Sequence, residues 1–517
     1  MKLKIALATA TAMGLAIGTA WANDGNKVFL DQDGTENSGS INQSGGDNNE
    51  FGLSTDSAKQ IGTGNIATYN NSGWTGSTGN NNNVVQDFLQ DGTLNKFQGS
   101  DVGGSTGNTL GSFTQDGDYN GAYVNRIQED NSSVGTVLMQ GNKNTLTIIQ
   151  GDSGGAYAGG GNSVGSVSII GSDNGLGSAN AYLHAHANAA VYIQQKGNSN
   201  EVGSSTIDGS NNRDPLPFSV GAFNRVHEII QTGNDNLVTA ASTTGSVGNW
   251  IRLSQVGDEN GLAGLGQLST GFANSIGGAV DRSAIQVGTG NKIGFGALGN
   301  ANQFGFFQNG ANNSAIGLNF TGNNNEIGVE QAGTDNVVNL GAVVGDSNDI
   351  GVRQLDGGNT ANIDLTNGSD FNAIRVIQDA AIAATNSNTA DIDVNGDSNL
   401  LNVAQTGDNA MTVNVTGSGN NNTGGNFTGM ADGVAGTSLN PGDLFQNGSS
   451  TATLTVGGGG ASNNNLFAFN QDGAGNSIVG TIDGAAGGNQ VAVAQVGSTN
   501  TANFSQNGAG NNLGISQ

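Results

Sequence analysis

The chain has 517 residues, with 89 Gly, 3 Pro and no Cys, and its 41 acidic and 15 basic residues give a formal charge of −26. The absence of Cys excludes disulfides, thiolate catalysis and zinc–thiolate sites. An acidic balance without a basic stripe argues against nucleic-acid binding. Low hydrophobicity with high net charge would normally indicate disorder, but a fixed apolar period argues against disorder here.

The first predicted element is a signal peptide over 1–22. Two lysines precede a short apolar run that ends in Ala20-Trp21-Ala22, which is the pattern of a secretory signal and its cleavage site. We expect cleavage between Ala22 and Asn23, which gives a secreted mature chain of charge 13 − 41 = −28. A membrane anchor is the alternative, and the short run disfavours it. No later stretch is apolar enough to span a bilayer, so no integral membrane segment is expected after cleavage.

The remainder of the chain is dominated by one pattern, N-x-Φ-x-Φ-x-Q, in which Φ is apolar or Ala. Its Asn, Φ and Gln positions share one parity, and residues of one parity face the same side of a strand. A segment x-Gly-x-x-Asn usually follows the Gln. Copies of the pattern lie at Asn144–Gln150, Asn302–Gln308, Asn325–Gln331, Asn348–Gln354, Asn372–Gln378, Asn399–Gln405, Asn489–Gln495, Asn500–Gln506 and Asn511–Gln517.

The spacing of the copies predicts the fold. Strands with Gln begin at Asn302 and Asn325, and a strand without Gln begins between them at Asn313. Two strand-plus-turn units therefore make a repeat of 22–24 residues, which indicates a repeat architecture. The Gly supplies positive φ at each turn, and an apolar period of two disfavours helix. We predict an all-β fold, a β-solenoid of stacked strand–turn–strand repeats with amyloid-like cross-β stacking.

The inward Asn and Gln side chains predict amide ladders. An isolated buried amide is costly, but amides stacked about 4.8 Å apart can hydrogen-bond to the copies above and below. They can also bond to the backbone of the turns. The predicted ladder residues are Asn302, Gln308, Asn325, Gln331, Asn348, Gln354, Asn372, Gln378, Asn399, Gln405, Asn489, Gln495, Asn500, Gln506, Asn511 and Gln517.

The presence or absence of the repeat pattern divides the mature chain into five segments. Repeats are predicted in three of them, 23–150, 191–416 and 466–517. The Gly- and Ala-rich segment 151–190 and the Gly- and Asn-rich segment 417–465 break the pattern. We interpret these two segments as irregular loops or as hinges between solenoid blocks.

Two patterns resemble metal sites. His184 and His186 share one strand face, but no third ligand is evident and His227 is distant in sequence. The stretch that carries Asp391, Asp393, Asn395 and Gly396 begins like a calcium loop, but Asn402 stands where such a loop needs Glu. We expect a solvated histidine pair, a strand–turn–strand at 391–402, and no metal or cofactor.

Catalysis is not expected from the carboxylates. Asp33, Asp91, Asp116 and Asp472 recur in QDG triplets, where turn chemistry explains them. The acids are scattered over turns without a cluster of paired carboxylates, so an enzyme is disfavoured. The aromatic residues Phe304, Phe306 and Phe504 are interpreted as core. Charged residues fall mostly on the outward parity: Glu326, Glu330, Asp349, Arg353 and Arg375.

The stretch "QVGSTNTANFSQ", from Gln495 to Gln506, resembles the curlin repeat Q-x-G-x-x-N-x-A-x-x-x-Q, and "QIGTGNIA" at Gln60 resembles its first part. The resemblance covers most of 28–517 and is to the subunits of curli, the amyloid fibres of bacterial biofilms. It implies export through a dedicated outer-membrane pore and fibre growth on a nucleator subunit. This chain is longer than a typical curlin.

Two functions of different classes follow. The first is a structural subunit of extracellular, cell-surface fibres that polymerises with itself for adhesion and biofilm matrix. The second is a monomeric β-solenoid adhesin or surface-binding protein, for example an ice binder. Ice binders need a regular outward Thr array, whereas the outward residues Thr145, Gln303, Glu326, Arg375 and Asn402 are mixed. Fibres are favoured, and we expect the edge 500–517 to dock onto another subunit.

Overall fold

The structure is a computed structural model of the full chain. It describes residues 27–28, 30–44, 50–51, 58–72, 84–102, 108–118, 120–127, 132–142, 144–151, 162–170, 191–196, 201–208, 227–232, 237–244, 250–256, 283–366, 368–379, 387–422, 425–484 and 487–517. The chain divides into two compact units, Met1–Arg252 and Leu253–Gln517, called unit 1 and unit 2 below.

The strands of the first half follow the chain in this order: β1 Lys27–Val28, β2 Leu30–Thr35, β3 Ser38–Ser44, β4 Glu50–Phe51, β5 Ala58–Thr63, β6 Ile66–Ser72, β7 Val84–Thr93, β8 Lys96–Val102, β9 Thr109–Asp116, β10 Gly121–Ile127, β11 Ser133–Gln140, β12 Thr145–Gly151, β13 Ser163–Ile170, β14 Val191–Lys196, β15 Glu201–Asp208, β16 His227–Thr232, β17 Leu237–Thr244 and β18 Trp250–Val256.

The second half continues with β19 Ser283–Thr289, β20 Lys292–Leu298, β21 Gln303–Ala311, β22 Ser314–Thr321, β23 Glu326–Thr334, β24 Val337–Val344, β25 Asp349–Gly357, β26 Thr360–Leu365, β27 Ala373–Asp379, β28 Thr389–Asn395, β29 Leu400–Gly407, β30 Ala410–Thr416, the helix α1 Gly429–Ala435, β31 Asp443–Val456, β32 Leu466–Asp483, β33 Gln490–Val496, β34 Thr501–Asn507 and β35 Asn512–Ser516. Of the described helices, none is long and apolar enough to cross a membrane.

Alternate strands stack in parallel, so each unit is a two-sheet β-solenoid. In unit 2, β21 pairs with β23 and β23 with β25, while β22 pairs with β24 and β24 with β26. We call the sheet that contains β23 sheet A and the sheet that contains β24 sheet B. In unit 1 the same alternation puts β7, β9 and β11 in one sheet and β8, β10 and β12 in the other. The predicted all-β solenoid is confirmed.

The core lies between the two sheets and is filled by every second side chain of each strand, which points inward. In β23 the inward Ile327 and Val329 are fully buried. In unit 2, Phe295 of sheet B meets Phe304 of sheet A with ring centroids 5.0 Å apart. One two-strand coil has only this narrow apolar stripe, so it buries the stripe only when neighbouring coils stack on it.

Glycines form the corners because each coil lies directly above the next. Gly310 has φ +128°, and a Cβ built on it would lie 1.9 Å from the carbonyl oxygen of Gly333 in the following coil. Gly333 has the same relation to Asp356, at 1.5 Å. The residue before the ladder Asn is also left-handed, for example Asn324 at φ 56°. Two positive-φ positions therefore turn the chain at each such corner.

The prediction that 151–190 and 417–465 are irregular is wrong in part. The first contains β13, which pairs with β11 and β15. The second contains α1 and β31, whose two halves pair with β29 and β30. Sequence repeats are hidden there because extra residues separate them. Gln405 and its ladder neighbour Gln446 are 41 residues apart, compared with 23 for Gln331 and Gln354.

Candidate functional site

The buried side of sheet A in unit 2 carries a continuous glutamine ladder. From Gln308 to Gln495, each Nε2 donates one hydrogen bond to Oε1 of the ladder Gln in the next coil of sheet A and another to a backbone carbonyl of sheet B. Gln331, for example, donates to Gln354 at 2.8 Å and to the carbonyl of Ser314 at 3.1 Å. The ladder runs through Gln286, Gln308, Gln331, Gln354, Gln378, Gln405, Gln446, Gln471, Gln495 and Gln517.

The asparagine ladders run in the opposite direction and close the corners. Asn348 donates both its backbone N–H and its Nδ2 to Oδ1 of Asn325, each at 3.0 Å. Its Nδ2 also donates to the carbonyl of Ser369 at the next corner. In sheet A this column contains Asn302, Asn325, Asn348, Asn372, Asn399, Asn420, Asn465, Asn489 and Asn511.

Unit 1 carries two shorter glutamine ladders on different sheets. Gln60 donates to Gln90, and Gln90 to Gln115, in one sheet. Gln115 then meets the sulfur of Met139 at 3.7 Å. The second ladder lies in the other sheet and includes Gln150, which donates to Gln195. Because the glutamines change from one sheet to the other, the first ladder ends and the second begins inside the unit.

The last coil of unit 2 forms what we call the terminal edge, made of β34 and β35. Among the described residues, β34 pairs only with β32 and β35 only with β33. One side of each strand therefore carries backbone N–H and C=O groups without a strand partner there. Such an edge is a template for another strand.

Two predicted ladder residues lie elsewhere than the pattern suggested. Gln506 and Asn500 belong to sheet B, and the other predicted residues belong to sheet A. Asn500 donates its backbone N–H to Asn476, but Gln506 has Ile482 as its register partner in the preceding strand. The motif is the same on both sheets, so the sequence did not show on which sheet each copy lies.

Sequence reasoning also missed several ladder members. Gln446, Gln471, Asn420, Asn465 and Asn476 lie in or beside the segment interpreted as irregular, although Gln446 and Gln471 precede Asn-Gly and Asp-Gly. Those dipeptides match the Q-x-G start of a corner and could have revealed both residues.

Helix α1 covers the outer face of sheet A next to the terminal edge. Ala431 and Ala435 pack with Leu466, Ala468 and Ala492, which are apolar residues at outward positions. The backbone N–H of Ala431 donates to Oδ1 of Asn512 at 2.8 Å, and Thr428 donates to Oε1 of Gln490. A Cβ on Gly514 would lie 2.2 Å from the carbonyl oxygen of Met430. The outer face is covered, while the terminal edge keeps its strand-pairing groups.

The outer face of sheet B is a grid of short polar side chains, which we call the threonine face. Successive strands place Thr389, Ala410, Thr451, Ser477 and Thr501 in one column. All members are exposed or half-buried. They are Thr360, Asn362, Asp364, Thr389, Asp391, Asp393, Ala410, Thr412, Asn414, Thr451, Thr453, Thr455, Ser477, Val479, Thr481, Thr501, Asn503 and Ser505.

Acid residues concentrate at one end of the threonine face. Burial raises the pKa of Asp393, and the nearby carboxylates of Asp391 and Asp364 raise it further. Asp364 lies on β26, and Asp391 and Asp393 lie on the adjacent strand β28, so the three negative charges repel one another. This end of the face therefore carries negative potential.

The outer face of sheet A in unit 2 is mixed, as predicted from its charged residues. Arg353 and Glu330 of adjacent coils form an ion pair at 3.1 Å. Arg375 donates to Oδ1 of Asn402 at 3.3 Å. Gln303 is only 4% exposed, and neither of its amide atoms has a hydrogen-bond partner. The outward position of Gln303 is therefore not a solvated one.

The sequence-based metal candidates separate in the structure. Asp391, Asp393 and Asn395 lie on β28 of sheet B, Gly396 forms a corner at φ +141°, and Asn402 lies on β29 of sheet A. In the part of the chain that the structure describes, no group of three or more His, Cys, Asp or Glu is placed to hold a metal ion.

The other candidates are also distributed along the chain. His227 begins β16, and His184 and His186 lie outside the described residues, as do Ala22 and Asn23. Asp91 and Asp116 are register partners on adjacent strands. Asp33 lies two coils before Asp91, and Ile61 occupies the same register position in the coil between them. Asp472, in unit 2, accepts a hydrogen bond from Asn447. The rings of Phe304 and Phe306 are buried, and Phe504 is half-buried.

Comparison with known proteins does not identify a family. No protein-family model matches the sequence, and no curated protein matches it.

Proposed function

We propose that this protein is a structural subunit of extracellular curli-like amyloid fibres, and that it grows by stacking further subunits on the terminal edge. The observation that carries the proposal is the parallel, in-register stacking of successive coils with a glutamine ladder through sheet A, as from Gln331 to Gln354 at 2.8 Å. This ladder reaches β35, where Gln495 donates to Gln517. A second subunit would bury this edge and extend both sheets.

The symmetry of parallel stacking supports growth without a limit. All strand pairs of the last coils are parallel and in register. Adding a subunit along the stacking direction is a heterologous contact, which leaves a new edge open and produces a filament. The resemblance to curlin repeats agrees with this, and by that resemblance we expect a nucleator subunit and an outer-membrane pore as partners.

Replacing inward residues of the terminal edge tests the fibre function. In Phe504→Asp/Ile515→Asp, a charge enters the stacked core on each sheet, where an unpaired charge costs about 3–5 kcal/mol. The control Asn503→Asp/Ser505→Asp adds the same charge on exposed outward positions of β34. We expect seeded growth, followed by thioflavin T and electron microscopy, to be lost in the first variant and retained in the second. Equal growth of both variants, or a wild type that stays monomeric at high concentration, would contradict the proposal.

The threonine face supports a second candidate function, a surface-binding solenoid of the ice-binding kind. The sequence-based argument against it used outward residues that lie mostly on sheet A, whereas the threonines lie on sheet B. Thr451, Thr453 and Thr455 are exposed or half-buried on one strand. Strands about 4.8 Å apart and outward residues about 6.8 Å apart repeat these hydroxyl and methyl groups in two dimensions. A rigid, regular array can order water, unlike long flexible side chains.

A bulky substitution tests the threonine face. Thr453→Tyr would break the flat array at its centre, while Glu330→Tyr makes the same kind of change on sheet A. If the face binds ice, the wild type shows thermal hysteresis, and we expect Thr453→Tyr to lose more than half of it and Glu330→Tyr to retain it. Absence of hysteresis and of ice-recrystallisation inhibition in the concentrated wild type would exclude this candidate.

A further inference from the structure

We propose that the outer face of sheet A in unit 2 has a second docking groove, over Gly305, Gly328 and Gly351, and that this groove binds residues 257–282 of the same chain. Those residues connect β18 to β19 and lie outside the described part of the chain. Helix α1 covers the same face of sheet A further along the stack. Docking at the glycine groove is independent of both proposed functions.

The floor of the groove is a row of three outward glycines, all of which are buried. Gly305, Gly328 and Gly351 are register partners on β21, β23 and β25. By contrast, Gly294 and Gly296, which face outward on sheet B, are only half-buried. A glycine has no side chain that could cover its own backbone, so the burial of the row requires other atoms above it.

Gln303 gives a second, independent indication of an occupant. It lies on β21 at the outward position before Gly305 and is only 4% exposed, so it is covered rather than being the cover. Neither its Oε1 nor its Nε2 has a hydrogen-bond partner among the described residues. A buried amide without partners is unfavourable. The occupant of the groove therefore has to supply polar atoms as well as bulk.

The groove under α1 has the same plan. Its floor is the row Ala468, Ala492 and Gly514, which are register partners on β32, β33 and β35. Each residue of both rows stands three residues after a ladder Asn of sheet A. Small residues let α1 approach the sheet closely, since a Cβ on Gly514 would lie 2.2 Å from the carbonyl oxygen of Met430.

The neighbouring outward column carries hydrogen-bond acceptors in both places. Beside α1 these are Gln490 and Asn512, whose side-chain oxygens accept backbone N–H groups of the α1 segment, as Asn512 does from Ala431 at 2.8 Å. The same positions beside the glycine row hold Glu326 and Asp349, and their carboxylates are acceptors too. Both grooves therefore combine a floor of small residues with a rim of acceptors, which suits a segment that presents backbone N–H groups.

Residues 257–282 enter sheet A at the right place to occupy the glycine groove. They precede β19, and the next strand of sheet A is β21. The segment that contains α1 likewise precedes β31, and the next strand of sheet A is β32. The glycine row ends at β27, where Arg375 is the register partner of Gly351. Three strands extend over about 10 Å, which is also the length of the seven residues of α1.

The composition of the segment fits an uncharged groove floor. The stretch 260–280 has no charged residue. Its larger apolar residues recur at intervals of three or four, the spacing of one helix face rather than of a strand, at Leu262, Leu265, Leu268, Phe272 and Ile276. A partner that binds the outer face of sheet A at β21 to β25 would have to displace this segment.

Single cysteines test whether the groove is covered, and by what. The chain has no Cys, so Gln303→Cys places one thiol in the proposed groove and Leu466→Cys places one under α1. We expect both thiols to react with iodoacetamide at least tenfold more slowly than that of Thr453→Cys, which is at an exposed position. Replacing 260–280 by a short Gly-Ser linker should raise the rate for Gln303→Cys at least tenfold and leave the rate for Leu466→Cys unchanged.

Two results of this labelling would overturn the proposal. Fast reaction of Gln303→Cys in the intact chain would show that the face is open. Slow reaction of Gln303→Cys with and without 260–280 would show that another part of the molecule covers it.

Hydrogen–deuterium exchange tests the same contact with the segment left in place. Gly328→Leu fills the floor of the groove, and Ala410→Leu enlarges an exposed outward residue of β30 as the control. We expect exchange in peptides from 260–280 to become at least tenfold faster in the first variant and to stay at the wild-type rate in the second. Peptides from β33 to β35 should stay protected in both, which shows that the solenoid is folded. Unprotected 260–280 in the wild type, or unchanged protection in Gly328→Leu, would show that these residues do not dock there.

Discussion

Gly310→Ala is expected to destabilise unit 2 by about 3–5 kcal/mol, because two penalties coincide at this corner. A non-glycine residue at positive φ costs about 1–2 kcal/mol, and overpacking adds about 1–3 kcal/mol or more. The φ of Gly310 is +128°, and the added Cβ would lie 1.9 Å from the carbonyl oxygen of Gly333. That oxygen is backbone of the next coil, so it moves only if the stack opens. Urea unfolding followed by circular dichroism measures the loss.

Gly460→Ala is the matched control. Gly460 has a similarly large positive φ, at +150°, but a Cβ there would have nothing within 4 Å. Only the backbone penalty of about 1–2 kcal/mol remains. The difference between the two variants isolates the cost of disturbing the stack. Equal losses would show that the corner glycines are needed for conformation alone, and that the coils are not in direct contact there.

Gln354→Glu is expected to cost about 3–5 kcal/mol at neutral pH, as other unpaired buried charges do. Gln354 is fully buried, accepts from Gln331, and donates to Gln378 and to the carbonyl of Val337, with distances of 2.8–2.9 Å. The new carboxylate would still accept from Gln331, but its oxygens could not donate to Oε1 of Gln378 or to the carbonyl of Val337, which are both acceptors. The change removes donors from an otherwise satisfied ladder without altering its size.

The loss in Gln354→Glu should depend on pH with a defined sign. Burial and facing acceptors raise the pKa of the new carboxyl in the folded state above its ordinary value of about 4.3. The penalty is therefore present above the folded-state pKa and disappears as the pH falls below about 4, where the protonated group donates to Gln378. Unfolding curves at neutral and acidic pH, compared with the wild type at each pH, measure this.

Glu330→Gln provides the control for Gln354→Glu. It makes the reverse change on an outward position and breaks the exposed ion pair with Arg353, which is worth about 0–1 kcal/mol. We expect a small effect at both pH values. A loss in Gln354→Glu no larger than in this control would show that the ladder amides do not stabilise the stack.

The sequence by itself determined the strand, the corner and the inward side of each strand. An apolar period of two, with Gly and Asn between the copies, depends only on neighbouring residues. Asn325 to Gln331 therefore form a strand with alternate side chains inward, as the pattern predicts, because backbone sterics and side-chain alternation act over a few residues. The repeat of 22–24 residues was enough for the solenoid, since equal units can bury their narrow apolar stripes only by stacking.

Only the tertiary structure decided which amides meet. The same motif occurs on both sheets, so the sequence could not separate Gln506 from Gln517 or place the threonines of β31 on one outer face. Gln405 meets Gln446 across 41 residues that include a helix, and no local rule measures such a distance. Ladder membership depends on register between coils, which is set by packing along the whole stack rather than by the residues of any one coil.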